Sequence, residues 1–453
     1  MSRAPGSRRV IATYLILAGL FTLSAALIWG INTLFLLDAG LDIFGVFVAN
    51  AAFTAGMVVF ELPTGVLADT AGRRLSFLLS LAILSLTTVG YVLVARVGGG
   101  LLAFCAVSVV MGLGFTFYSG AVEAWLVDAL KSTGFEKSLD QVFARGAMVT
   151  GGAMLTGTLA GGFLGDVDLG LPYLVRAALL AAVFVIAFVA MKDLGFTPRA
   201  FRLGQLPREM AAVAEASIRY GWRERPVRLL MFCSFLQMGF MYWGFYAWQP
   251  YFLRLLGRDA IWAAGAAASV IAGAMIAGNV LVDLVSRFCG RRTTLLLWAA
   301  GLQALAAIGV GLTGSFWLAL ALFVLLAAGV GIAGPVKQAY LHNSIPSTER
   351  ASVVSFDSMF GNGGGILGQA GLGYLSRAHS IEQGYVVGGL ASLLALPLIV
   401  ALRRLKRPAD IFVGEHAGVE SPCAAQGIPD IAQVNTRARG APATAEAPVG
   451  ARA

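Results

Sequence analysis

The sequence predicts an all-α polytopic membrane protein, with twelve transmembrane helices in two pseudo-symmetric six-helix halves. Three observations carry this. The 453-residue chain is 58% hydrophobic and 13% charged, with a mean hydropathy of +0.78, outside the range of soluble domains. A bilayer core about 30 Å thick needs about 20 apolar residues per helix. Charge is absent over runs of that size, among them Val97 to Val122, Gly146 to Gly165, Leu229 to Leu253, Ile261 to Val282, Ser358 to Ser376 and Gln383 to Leu402. The longest internal polar stretch, Lys192 to Arg228, divides the spans six and six.

Uncharged length and Gly/Pro punctuation place the spans at 10–36, 43–66, 75–95, 100–128, 141–165, 171–191, 228–253, 260–282, 293–312, 315–341, 351–375 and 384–403. The start "MSRAPGSRRVIATYLILAGL" imitates a signal peptide, but no soluble domain follows it, so it reads as the first span. The ninth and tenth spans share one uncharged run, Thr293 to Val336, broken by "GLTGS". The chain therefore divides into an N-terminal half (1–191), a linker (192–227), a C-terminal half (228–404) and a tail (405–453). Within and after the linker, "REMAAVAEASIRYGWRERPVRLL" sets apolar residues at helical spacing among arginines. It reads either as a helix on the membrane surface or as a solvated connector. The tail is rich in Ala, Pro and Gly, has too little apolar content to fold, and is expected to be disordered.

With the N-terminus inside, only Arg96, Arg176, Arg254, Arg258 and Arg377 fall on outer loops or helix ends. This bias predicts a multi-pass protein of the inner (cytoplasmic) membrane with both termini cytoplasmic. It also gives the net charge of +9 a topological origin, so no nucleic-acid partner is expected. Cys105, Cys233, Cys289 and Cys423 form no spaced cluster, which argues for free thiols and no metal or other cofactor. His342, His379 and His416 all fall in loops or the tail, so no intramembrane enzyme site is expected.

The halves repeat one another. "DTAGRRLSFLL" (69–79) is echoed by "DLVSRFCGRRTTLLL" (283–297), each between the second and third spans of its half. "GTLAGGFL" in the fifth span parallels "GQAGLGYL" in the eleventh. Repeated halves are the sequence sign of a transporter with its site at their interface. The first echo belongs to "ELPTGVLADTAGRR" (61–74), and Gly65, Leu67, Ala68, Asp69, Gly72, Arg73 and Arg74 resemble the signature of the major facilitator superfamily, with Thr70 departing from it. "ELPTG" and "SGAVEAWLVDAL" in the fourth span look like a bacterial branch of that superfamily with many drug exporters.

The glycines let the helix end and the chain pass a neighbour, while the charges bind helix ends and partner carboxylates. The resemblance implies that Asp69 faces the start of the eleventh helix. It also implies that an arginine of the motif pairs with Asp128, forming a cytoplasmic latch. Asp283, Gly290, Arg291 and Arg292 form the second copy.

Glu61, Glu123, Lys337 and Asp357 lie within spans, where a charge costs about 2.5–3.5 kcal/mol at the helix centre and marks function. All sit roughly 10–13 Å from their helix centres, toward the cytoplasm. They are candidates for proton coupling or for the inner gate, with Glu61 the more structural because it precedes Pro63. Glu123 stands 54 residues after Asp69 and Lys337 stands 54 after Asp283, so the two are expected to pair across the closed gate.

In the seventh span, "FLQMGFMYWGFYAWQPYF" has nine aromatics among eighteen residues. The resemblance implies that the first helix of each triplet lines the cavity. Gln237, Met241, Tyr242, Trp243, Phe245 and Trp248, with Trp29 and Asn32 of the first span, are thus candidate cavity residues. The alternative is lipid-facing packing with an outer aromatic belt at Trp248 and Tyr251. "GTLAGG" resembles an antiporter signature with Thr158 in place of its proline, and close helix packing explains the same glycines equally well.

The resulting expectation is a monomeric secondary transporter in the lipid bilayer, with no Walker pattern, exporting small hydrophobic or cationic compounds in exchange for protons. Proton-coupled uptake of a small nutrient is the alternative, and a non-transporting sensor a third reading.

Overall fold

The computed structural model describes residues 6–136, 138–196, 215, 217–257, 260–345 and 350–412, and its compact unit ends at Ile411. The helices are α1a (Ser7–Trp29) with α1b (Asn32–Asp38), α2 (Ile43–Ala71), α3 (Arg73–Arg96), α4a (Gly100–Tyr118) with α4b (Ala121–Ser132), α5 (Leu139–Val167) and α6 (Leu171–Ala190). The second half holds α7 (Arg225–Leu256), α8 (Ile261–Ser286), α9 (Arg292–Leu312), α10 (Phe316–Asn343), α11 (Arg350–Ala378) and α12a (Ile381–Leu393) with α12b (Ala395–Arg404). This is the twelve-helix arrangement expected. Eleven of the spans are long and apolar enough to cross a membrane. The twelfth, α11, has 29 residues and mixes arginine, Asp357, Asn362 and Gln369 with many glycines. Both ends of the chain's helical bundle therefore lie on one face, here called the terminal face; the opposite one is the far face.

Local chemistry sets the boundaries. Asp42 caps α2 by accepting from the Gly45 amide at 2.7 Å, and Ser380 caps α12a. Gly72, with φ 106°, lies outside the range of ordinary L residues and lets α2 end directly against α3. The predicted first span is broken at Gly30–Ile31 and the fourth at Ser119–Gly120, where Gly120 adopts φ 71°.

Each half packs around its own core, with Leu17, Phe77, Trp125 and Tyr173 central to the first and Trp243, Trp248, Phe323 and Tyr385 to the second. The fifth helix of each half does double duty. α5 packs on α1a and on α8, while α11 packs on α7 and on α2. The repeated glycines explain this. A Cβ on Gly157 or Gly161 would strike the α1a backbone, and one on Gly162 would lie 2.6 Å from the Gly265 Cα of α8. In α11, Gly364 and Gly368 meet the α7 backbone and Gly373 meets Phe47 of α2. The geometry supports the close-packing reading of "GTLAGG".

Two segments differ from expectation. Pro408–Asp410 form a short 3-10 helix inside what reads from sequence as a disordered tail, and Asp410 is buried. Its carboxylate accepts from the Thr293 amide at 2.8 Å and hydroxyl at 2.9 Å, capping α9. Residues beyond 412 lie outside the described part. Of the predicted linker helix, residues 208–214 and 216 also lie outside it. Ser217–Trp222 form a π-helical turn, with Trp222 against the Phe232 and Phe360 rings of α7 and α11.

Candidate functional site

A cavity of about 400 Å³ lies between the halves, lined by Trp29, Asn32, Asn50, Thr54, Tyr91, Arg176, Tyr242, Tyr246 and Gln369, with Phe53, Phe115 and apolar neighbours. Its roof toward the far face is the break in the first helix. Gln249, fully buried, accepts from the Thr33 amide at 2.8 Å and donates to the Trp29 carbonyl at 3.0 Å, while the Thr33 hydroxyl donates to the Tyr246 carbonyl at 3.0 Å. One glutamine of α7 thus satisfies backbone groups freed on both sides of the break. Further far-face ties are Arg377 to Asp42 at 3.0 Å and the Ile261 amide to Asp166 at 3.0 Å. Contacts between the halves reach down to Thr54 with Gln369, at 3.4 Å, and to Thr158 with Ser269, at 2.6 Å.

Arg176 corrects the sequence reading. It was expected at an outer helix end, but it is 7% exposed and lines this cavity, among the Tyr91, Tyr173 and Tyr246 rings. Five residues into α6, it stands about 7 Å from the helix centre. A composition-based reading has no way to separate such an arginine from an interfacial one.

The polar floor of a second cavity, about 290 Å³, lies within the C-terminal half. There Lys337 of α10 donates to Asp357 of α11 at 2.8 Å and also to Ser234 of α7, and the Ser234 hydroxyl donates to the other Asp357 oxygen at 2.7 Å. The Glu123–Lys337 pair is expected of the closed gate; in this conformation the partner of Lys337 is Asp357, in its own half. Glu123 is half-buried near the hydroxyls of Tyr14 and Tyr118 in the N-terminal half. Ser234 was not singled out from sequence, since a serine facing an apolar helix neighbour gives no pattern.

The span-seven aromatics divide by helix face. Tyr242 lines the central cavity, as does Tyr246, which the sequence reading had not chosen, and Tyr242 donates to Asn362 at 2.7 Å. Gln237 and Met241 line the second cavity. Trp243, Phe245 and Trp248 line neither; they are buried against Phe47, Phe323, Phe252 and Tyr385. Trp248 and Tyr251 are core residues, 1% and 0% exposed, so they form no outer belt. Trp29 and Asn32 stand in the central cavity as expected.

Twelve helices, a cavity at the interface of repeated halves and a broken first helix make a transporter architecture, and the family comparison agrees. The family model described as Major Facilitator Superfamily matches residues 11–288 and 263–434. The chain belongs to this superfamily. Its fold is similar to solved transporters of low identity. One is a variant of the nucleoside transporter NupG (TM-score 0.72, 12% identity, 87% of this chain and 99% of that chain). Another is a bacterial homologue of the human lysosomal transporter Spinster, in an inward-facing and unoccupied conformation (0.67, 16%, 91% and 100%). A third is a POT family transporter in complex with 5-aminolevulinic acid (0.67, 12%, 88% and 96%). No curated protein sequence matches the chain.

In this superfamily member Arg74 of the motif between α2 and α3 is held within its own half. The Arg74 guanidinium donates to the Phe188 carbonyl at 2.7 Å and stacks over the Phe188 ring, while its amide donates to Asp193 at 3.0 Å. Arg74 is thus tied to the end of α6 and to the residues just after it. Arg292 repeats the arrangement in the other half, donating to the Ala409 and Ile411 carbonyls at 2.7 Å. Asp193 and Asp410, read from sequence as linker and tail, are the acids that cap the two third helices. Gly65 and Gly290 have open space where a Cβ would sit. Glu61 lies on α2 beside Pro63, half-buried, and Asp283 is exposed at the end of α8. The Asp69 side chain lies outside the described part.

Proposed function

We propose that the protein is a proton-coupled secondary transporter that works by alternating access, with the 400 Å³ cavity between its halves as the substrate site. The observation that carries this is the asymmetric seal among the described residues. Gln249, Thr33 and Trp29 close the cavity roof, and the two crossings α5–α8 and α2–α11 hold the halves together from mid-depth to the far face. Rocking about those crossings exchanges which face is sealed. With the lysine and arginine bias placing both termini in the cytoplasm, this is the inward-open state of an inner-membrane protein.

Coupling falls to the Lys337–Asp357 pair. A proton on Asp357 removes the charge that holds Lys337, freeing α10 from α11 and α7, so protonation and conformation depend on each other. The aromatic walls suit a substrate with an apolar body, as the drug-exporter expectation had it. The cationic part of that expectation is not supported, because Arg176 lines the cavity and, among the described residues, no acid does.

The test uses the purified full chain in proteoliposomes with its native cysteines replaced. A thiol crosslinker joining Asp42→Cys to Arg377→Cys should stop transport driven by a proton gradient, and reversal of the gradient should reverse net flux in the uncrosslinked protein. Undiminished flux after complete crosslinking overturns the alternating-access reading.

A further inference from the structure

We propose that Arg176 anchors a negatively charged group of the transported molecule, so that the substrate is a small organic anion with an aromatic or apolar body. The inference rests on the central cavity being the substrate site and names what that site selects.

Arginine remains charged in proteins, and a guanidinium this deeply buried ordinarily carries a carboxylate partner. Arg176 is 7% exposed, its Nε has no acceptor, and among the described residues its guanidinium meets no hydrogen-bond or carboxylate partner. Every described residue lining the cavity is neutral except Arg176 itself. The cavity therefore presents one uncompensated positive charge.

A second unspent donor points to the same ligand chemistry. Tyr173 donates to Asn32 Oδ1 at 2.9 Å, and Asn32 Nδ2 donates to Asn50 Oδ1 at 3.1 Å. With its oxygen engaged, Asn50 is left with a buried amide Nδ2 that has no acceptor. The chain runs from hydroxyl to amide to amide and ends on a donor at the cavity wall. A planar fork of N–H groups and an amide N–H suit a carboxylate or another oxyanion, whose several lone pairs accept both. Around them stand Trp29, Phe53, Phe115, Tyr242 and Tyr246, which suit a flat apolar body. Because Arg176 belongs to α6 and Tyr246 to α7, such a ligand touches both halves at once, and its binding bears on the transition between states.

The test compares three near-isosteric probes on the detergent-purified full chain, by thermal shift and calorimetry: naphthoate, neutral naphthamide and cationic naphthylmethylamine. Naphthoate should bind at least about tenfold more tightly than either of the others. Arg176→Gln should level or reverse that order, Arg176→Lys should keep part of it, and Asn50→Leu should weaken naphthoate about three- to tenfold. The Lys variant keeps the charge and keeps the comparison readable if the Gln variant does not fold.

Equal or tighter binding of the amide or amine to the unaltered protein, no binding of naphthoate, or an unchanged preference in Arg176→Gln overturns the proposal. If naphthamide or the amine binds and Tyr242→Ala weakens it, the central cavity still stands as the substrate site and only the anion assignment falls. If a bound probe is insensitive to every cavity substitution, the site assignment falls as well.

Discussion

Asp357 is held by two donors, Lys337 and Ser234, within a cavity lined by α7, α9, α10, α11 and α12a. Removing one partner of a buried pair leaves the other charge uncompensated, which costs about 3–5 kcal/mol, whereas replacing both by apolar groups is often neutral. Lys337→Met and Asp357→Asn should therefore each lower the thermal stability of the purified protein. The double variant Lys337→Met with Asp357→Leu should recover most of that stability while losing gradient-driven accumulation. A double variant that still accumulates substrate against a gradient would remove the pair from coupling. At this scale the sequence made the charges conspicuous without pairing them. Lys337 and Asp357 are 20 residues apart on consecutive antiparallel helices, a relation that spacing cannot distinguish from pairing with Glu123. Arg176 was legible only as a charge, since depth and partners depend on how far α6 slides along its neighbours.

Among the helices, the break between α1a and α1b depends on a residue 216 positions away, Gln249. Gln249→Leu preserves volume but strands the Thr33 amide, at a cost of about 1–3 kcal/mol. The far-face seal should loosen, and crosslinking between Asp42→Cys and Arg377→Cys should slow in that variant; an unchanged rate would show that the clamp does not govern the seal. The cap on α9 is a separate case. Asp410→Ala should cost about 0.5–2 kcal/mol, read as a lower melting temperature, and a chain stopped after Arg407 should lose at least as much. The glycine and proline punctuation made the helices themselves readable. It did not reveal that residues following the sixth and twelfth spans return to cap the third and ninth, because a lone aspartate in a polar stretch carries no periodic signal.

Taken as a whole molecule, the transporter hinges on contacts without side chains. A Cβ at Gly162 would lie 2.6 Å from the Gly265 Cα across the interface of the halves. Gly162→Leu should wedge α5 from α8 and abolish transport while the protein still inserts. Gly65→Ala, with open space at its Cβ position, should leave transport within about twofold by the criterion that only crowded positions are felt. Equal effects of the two in a vesicle assay would break the link between glycine crowding and the rocking interface.

The sequence by itself determined the number of spans, the six-and-six division, the superfamily and the glycine-bearing helices. Each of these follows from local length, hydropathy and spacing, which the bilayer enforces one helix at a time. Tertiary structure alone decided which charges meet, which aromatic faces line the cavity and which arginine stands in it. Those outcomes depend on the rotation and axial shift of each helix against several others. Hydropathy is nearly indifferent to both within an apolar span, whereas close packing and the need to satisfy buried polar groups are not.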